Sequence, residues 1–168
     1  MPTTTTVTFN WPAETPLRFD SYADYRAGFT ALLGRAKRSL CLFDEDFRSA
    51  ELGSRSNCDQ LWTFLSGGGQ LTLIACRPEY LATEAPRFMQ LRDRFAQQMQ
   101  LLILNETAET DHQVFAFADT QDYLIRHHSD WARGEAGSSA EVVAYLQQKF
   151  VCYQAQSEPG SVWRRLDI

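Results

Sequence analysis

The sequence predicts a mixed α/β domain in which a largely parallel sheet carries helices on both faces. Three observations support this fold class. Residues 20–104 repeat the order helix, short loop, apolar strand, which implies crossover connections and parallel strands. Residues 113–125 then read as two strands joined by a short polar turn, and a well-capped helix follows. A parallel sheet that ends in a hairpin and a final helix is therefore expected.

The first helix and strand have clear patterns. Asp20 or Ser21 can cap a helix whose apolar residues recur at helical spacing. The short apolar run 39–43 follows and predicts a buried strand. The acidic cluster after it, which we expect to be the solvated start of a helix, lies where an open α/β sheet places ligands. The apolar helix positions are Tyr22, Tyr25, Phe29, Leu32, Leu33 and Ala36, and the acidic cluster is Asp44, Glu45 and Asp46.

Two further helix and strand units follow. Asn57 can cap a helix that continues to Leu65, before a serine and three glycines stop it and lead into the strand 71–75. Another helix is expected from near Pro86 to about Gln98, and it leads into the strand 101–104. These units extend the predicted sheet.

The order of helices and strands changes in the last third of the domain. The strands 113–118 and 123–125 are separated by four polar residues, so a hairpin is the natural connection. Ser138-Ser139-Ala140-Glu141 is a capping-box pattern that opens the final helix, which Pro159-Gly160 ends. We expect an N-terminal lead over 1–17, one domain over 18–158 and a C-terminal tail over 159–168.

Composition narrows the function classes. The net charge of −5 argues against nucleic acid and anionic membranes as partners, because both are bound by a surplus of Lys and Arg. The four cysteines lack CxxC spacing and predict reduced thiols, hence a cytoplasmic protein. No signal peptide and no membrane span are expected. The sequence contains no motif that indicates a cofactor.

The segment His112-Gln113-Val114-Phe115-Ala116-Phe117-Ala118-Asp119 holds the most specific motif of the chain. On a strand, His112 and Val114 would point the same way. With the element order, this octet resembles one half of the phospholipase D-like superfamily, whose signature is HxK followed by four residues and D. The resemblance covers about 20–156. It implies that two such motifs meet at one site, where one histidine attacks phosphorus, the other protonates the leaving alcohol, and lysines bind phosphate oxygens.

The chain departs from that signature in its cations. His112 and Asp119 match the histidine and the aspartate, but Val114 stands in the lysine position. The Gly-Ser and Asn that usually follow are absent. The chain is also similar to uncharacterised bacterial domains with this degenerate fold, some of them joined to acetyltransferase-like domains. The resemblance therefore implies a domain without catalysis that binds a partner protein, such as an acetyltransferase-like domain, or a small anionic ligand, and that forms a homodimer.

Each candidate site residue has a structural alternative. His112 is a nucleophile or ligand-binding group, or else a hydrogen-bonded remnant. Asp119 is a remnant of the motif, or else accepts backbone N–H bonds in the hairpin turn. Arg126 can restore the lost cation and bind an anion with His127, or else forms a salt bridge to an acid such as Asp122 or Asp130.

Two catalytic alternatives remain. One is a homodimeric phosphodiesterase, nuclease or phosphatidyl transferase, with His112 as nucleophile and Arg126 binding phosphate. The other is a metal-dependent hydrolase built on Asp111, His112 and His127. The acidic strand end and Val114 count against phosphodiester chemistry. Trp131 and Trp163, in polar surroundings, are candidates for a contact surface.

Overall fold

The computed structural model describes residues 9–160, and these form one eight-stranded sheet with helices on both faces. The strands are β1 (Leu17–Phe19), β2 (Ser39–Asp44), β3 (Gln70–Ala75), β4 (Met99–Leu104), β5 (Val114–Ala118), β6 (Asp122–Arg126), β7 (Gly134–Ser138) and β8 (Ser157–Pro159). The helices are α1 (Tyr22–Arg35), α2 (Arg55–Ser66), α3 (Glu79–Glu84), α4 (Pro86–Arg94) and α5 (Ala140–Gln154).

The sheet order is β1-β7-β6-β5-β2-β3-β4-β8. Strands β2, β3 and β4 are parallel to one another, and the other pairings are antiparallel. The mixed α/β class is confirmed, but the parallel part is smaller than expected. The reason is that only the crossovers through α2 and through α3 and α4 join parallel neighbours, whereas β5, β6 and β7 are joined by tight turns and loops.

Two apolar cores lie on the two faces of the sheet. Helices α1, α2, α3 and α4 cover one face, where Phe29, Leu61 and Phe88 are buried against Leu42 and Ala116. Helix α5 covers the other face and buries Leu146 and Phe150 against the aromatic side chains of β5. The alternation of β2 and β5 between these two cores fixes which of their side chains face α1 and which face α5.

Helix starts follow the expected chemistry. Ser21 caps α1 by accepting a hydrogen bond from the backbone N–H of Asp24, and Ser139 caps α5 by accepting one from Val142. The cap of α2 is Ser54 rather than Asn57, which lies inside the helix and donates to the carbonyls of Ala50 and Glu51.

Three strands were absent from the expectation. β1 and β8 each have three residues and lie at the two edges of the sheet, at the ends of the predicted lead and tail segments. β7 reads Gly-Glu-Ala-Gly-Ser, without an apolar run, and is held by pairing between β6 and β1. At Gly134 an added Cβ would lie 1.9 Å from the carbonyl oxygen of Ile125, so this pairing requires glycine there. The helix expected from near Pro86 to about Gln98 is α4 followed by a 3-10 turn over Ala96–Gln98, and α3 before it was not expected.

No helix within residues 9–160 has the length and hydropathy that a bilayer crossing requires. The four cysteines are all free thiols. Residues 1–8 of the predicted lead and 161–168 of the predicted tail, including Trp163, lie outside the described residues.

Candidate ligand-binding site

A cavity of about 350 Å³ opens at the edge of the sheet where β2, β3 and β4 end and β5 begins. Its apolar wall is formed by Phe43, Leu104, Ala108 and Val114. The polar lining comes from the loops that follow β2, β3 and β6 and from the loop that joins β4 to β5. These residues are Glu45, Arg77, Asn105, Glu106, Thr110, His112, Gln113 and Ser129, and Cys76 also lines the cavity. A mostly apolar wall with a few polar groups at the mouth is typical of a small-molecule site.

Beside this cavity, a row of three buried side chains crosses the sheet on the face covered by α1. Val114 pairs with Arg126 between β5 and β6, and Asp44 ends β2 on the other side of β5. Their exposed fractions are 3% for Val114, 1% for Arg126 and 2% for Asp44. The position that carries a lysine in the motif is therefore filled by an aliphatic side chain between a buried acid and a buried guanidinium.

Arg126 is buried, and its two terminal nitrogens have partners inside the protein. Its Nη1 donates hydrogen bonds to the carbonyl oxygens of Ser129 at 2.6 Å and Trp131 at 3.1 Å, and its Nη2 lies 3.7 Å from Asp44 Oδ1. The guanidinium also lies 4.9 Å from the ring centre of Tyr25. The expectation that Arg126 pairs with Asp122 or Asp130 is wrong, because Asp122 pairs with Arg35 and the acid that faces Arg126 is Asp44. Arg126 holds the loop 127–131 and does not line the cavity.

Asp44 is the acidic residue that the sequence interpretation misplaced. It is not at a solvated helix start: it is the last residue of β2 and is buried. Burial raises its pKa to about 6, although the nearby guanidinium of Arg126 opposes that shift. Its Oδ1 accepts a hydrogen bond from the N–H of Glu45, whereas Oδ2 and the Nε of Arg126 are buried without a partner among the described residues.

His112 lies outside the strand. β5 begins at Val114, and His112 has a positive φ of 63°, so the expected sharing of one strand face with Val114 is wrong. His112 is exposed and lines the cavity. Its ring centre is 5.2 Å from that of His128, whose ring centre is 4.9 Å from that of Trp131. We call these three rings the aromatic stack.

Asp119 performs a structural task at the far end of β5. Its carboxylate accepts hydrogen bonds from the backbone N–H groups of Lys37, Arg38 and Ser39, at 2.7 to 3.1 Å. Lys37 and Arg38 belong to the connection between α1 and β2, and Ser39 is the first residue of β2, so none of these donors lies in the hairpin turn of Asp119 itself. Asp119 and His112 therefore lie at opposite ends of β5, and the structure does not bring them together.

His127 is also separate from the cavity. It is exposed and lines another surface depression with Arg18 and Arg133. Its neighbour His128 is the imidazole that meets His112, since the chain turns after β6. Among residues 9–160, no group of three or more His, Cys, Asp or Glu side chains has a metal-binding arrangement.

Two cations near the cavity, Arg77 and Lys149, were missed from the sequence. Arg77 and Glu45 form an ion pair of 2.7 Å at its mouth. Lys149 of α5 bonds to Asp111 and, at 2.8 Å, to Gln113 Oε1. Two charged residues that lie 32 or more positions apart carry no joint signal in a single sequence, but a position just after a parallel strand does. By that rule Arg77, two residues after β3, could have been placed at this edge, where the sequence interpretation already placed Glu45.

The fold defines the class of protein. It resembles solved structures of phospholipase D-like proteins: NucT from Helicobacter pylori has a TM-score of 0.65 and 9% identity over 87% of this chain and 99% of its own. Nuc from Salmonella typhimurium, a phospholipase D family member, has a TM-score of 0.63 and 9% identity over the same shares. The chain therefore has the phospholipase D-like fold that its motif predicts.

The chain itself belongs to a family described as a domain of unknown function, DUF7931, whose model matches residues 21–166. A further solved structure with this fold, the archaeal chromatin protein TrmBL2, has a TM-score of 0.67 and 13% identity over 92% of the chain. The chain spans only 57% of TrmBL2, which is described as showing a novel mode of DNA binding. No curated protein matches the sequence.

Proposed function

We propose that this chain is a degenerate phospholipase D-like domain that binds a small anionic ligand, or the anionic group of a partner protein, in the cavity beside His112 without catalysing its hydrolysis. The observation that carries the proposal is the buried row. Phosphoryl transfer needs fixed cations aimed at the nonbridging oxygens, and Val114, 3% exposed, replaces that cation.

The neighbouring cations do not supply the missing charge. Arg126 is buried, and its terminal nitrogens contact Ser129, Trp131 and Asp44 inside the protein and not the cavity. Arg77 lines the cavity but is paired with Glu45, and Lys149 is paired with Asp111. His112 retains a place at the cavity wall, which supports ligand contact rather than the attack on phosphorus that the family motif implies.

Hydrolysis of bis(4-nitrophenyl) phosphate tests the absence of catalysis. We expect the wild-type protein to release nitrophenol no faster than the His112→Ala variant. A rate that is clearly above background and that disappears in His112→Ala would overturn the proposal. His127→Ala is the matched control, because it removes an exposed imidazole that lies outside the cavity.

A second candidate is a homodimeric phosphodiesterase. It is favoured by one observation: this chain matches NucT and Nuc over 99% of their lengths, so each of those chains contains one domain of this kind. A single half needs a second copy to bring two motifs together. Light scattering decides this candidate, together with a distance between two spin labels at residue 113: it requires a dimer with the two His112 residues close to each other.

TrmBL2 raises DNA as another partner, and we do not propose it for this chain. The net charge of −5 and the ion pairing of Arg77, Arg126 and Lys149 leave the cavity edge without the basic surface that phosphate backbones require.

A further inference from the structure

The aromatic stack connects the cavity to the protein surface. His112 lines the cavity, His128 packs against it with an interplanar angle of 37°, and Trp131 packs against His128 at 34°. Trp131 is 61% exposed. The imidazole of His112 therefore lines the cavity, the imidazole of His128 packs against it, and the indole of Trp131 lies beyond.

The backbone fixes the distance between the two imidazoles. The N–H of Ser129 donates to the carbonyl oxygen of His112 at 2.8 Å, which ties the two loops together. Arg126 holds the carbonyls of Ser129 and Trp131 from inside the protein. Because these contacts do not involve the imidazole nitrogens, a change in imidazole charge acts at a nearly fixed geometry.

His128 is held by a hydrogen bond to its ring. The N–H of Asp130 donates to His128 Nδ1 at 3.1 Å, so this nitrogen carries a lone pair. A proton on Nδ1 would replace that bond with attraction to the Asp130 carboxylate, 3.8 Å away, and to the face of Trp131. A positive charge on His112, which lies on the other side of His128 from Trp131, would oppose a positive charge on His128.

The charged residues around the cavity mouth determine its net charge at neutral pH. Among the lining residues described, the carboxylates of Glu45 and Glu106 outnumber the single guanidinium of Arg77. Asp111 nearby is neutralised by Lys149, and Asp44 faces Arg126 underneath. His112 is the imidazole of the cavity lining, and histidine is the type of side chain whose charge can change near neutral pH.

We propose that the stacked His112 and His128 make this cavity a pH-dependent site for amphipathic anions, which bind through an apolar body against Phe43, Leu104 and Val114 and are held more tightly as the pH falls. The inference rests on the proposed function, since it assumes that the cavity binds an anionic ligand. It adds the class of ligand that the cavity binds and a dependence of its affinity on pH.

Benzenesulfonate is a suitable probe because its charge stays constant across this range, and benzenesulfonamide is its neutral counterpart. Titrations of the full chain, followed by NMR shifts, compare the affinities at pH 8 and pH 5.5. We expect the wild-type protein to bind the sulfonate roughly tenfold more tightly at pH 5.5, since each imidazolium near the anion contributes about one exposed charge interaction. The sulfonamide should bind equally at both values.

Variants assign the effect to the stack. His112→Gln and His128→Gln should each weaken the pH dependence, and the double variant should remove it, while His127→Gln should leave it unchanged. Glutamine retains a group that can accept the Asp130 N–H, so the loop is preserved.

Two results overturn the inference in different ways. Equal sulfonate affinity at both pH values, or a pH dependence that persists in the double variant, removes the role of the imidazoles, and in the latter case Asp44 becomes the group responsible. Failure of both probes to bind at either pH instead removes the proposed ligand-binding function itself.

Discussion

The buried row of Asp44, Val114 and Arg126 and the aromatic stack of His112, His128 and Trp131 lie at the same edge of the sheet but are built in opposite ways. The row is at most 3% exposed and contains a charged pair in the protein interior. The stack is largely at the surface and is held by backbone contacts. The row therefore determines whether the loop 127–131 has a fixed shape, and the stack determines what that loop presents to a ligand.

The largest expected effect is the loss of Arg126. Arg126→Met keeps the length of the side chain but leaves Asp44 buried without a counter-charge and two carbonyls without a donor. We expect the free energy of unfolding, measured by urea denaturation, to fall by about 3–5 kcal/mol.

The matched control is Arg35→Met, which removes the more exposed pair with Asp122 and should cost about 1 kcal/mol or less. The double variant Asp44→Asn/Arg126→Met should recover part of the loss, because no unpaired charge remains in the interior. If Arg126→Met were no more costly than Arg35→Met, the buried row would not organise this edge.

The pH dependence of stability tests Asp44 directly. Burial raises its pKa from 3.8 to about 6, so the folded protein keeps a proton on this carboxyl in a range where the unfolded chain has released it. Its contribution to stability is thus complete below about pH 3.8 and is lost as the pH rises through 6. The loss amounts to about 3 kcal/mol.

Asp44→Asn cannot titrate, so the difference in unfolding free energy between wild type and this variant should change between pH 4 and 6 and stay constant above pH 7. Urea denaturation at each pH gives this difference. A difference that is flat over the whole range would mean that Asp44 is ionised in the folded protein throughout, with Arg126 outweighing the effect of burial.

A smaller effect is expected at Asp119, which matches the motif but lies away from the cavity. Asp119→Ala removes the acceptor for three backbone N–H groups and should cost about 2 kcal/mol of unfolding free energy. Asp119→Asn should cost less, because asparagine keeps one acceptor and tolerates the positive φ of 55°. Ligand affinity in the cavity should be the same in both variants; a change there would give Asp119 a role beyond the connection of α1 to β2.

The sequence predicted the parts of this edge that depend on local pattern and missed those that depend on strand order. The periodicity of α1 and the apolar runs of β2, β3 and β4 are local signals, and each identified an element. β7 has no apolar alternation, because its place is set by pairing with β6 and β1. The contact between Asp44 and Arg126 spans 82 positions and exists only because β5 lies between β2 and β6.

The positions of the histidines show the same limit. The motif directed attention to His112, and strand alternation predicted that its side chain shares a face with Val114, whereas the positive φ of His112 turns it out of the strand. His127 and His128 are adjacent and equivalent in composition. Only the turn after β6, held by Arg126, decides that His128 meets His112.

The smallest expected effect on stability belongs to the aromatic stack. His112→Ala, His128→Gln and Trp131→Ala should each change the unfolding free energy by about 0.5 kcal/mol or less, because they remove surface contacts and leave the backbone bonds of the loop in place. Urea denaturation beside Arg126→Met gives the comparison. A loss above about 1.5 kcal/mol in any of the three would make the stack a structural element, and its variants would no longer report on ligand binding alone. With the expected small values, a change in affinity caused by these substitutions can be assigned to the rings themselves, since the shape of the edge is maintained by the buried row.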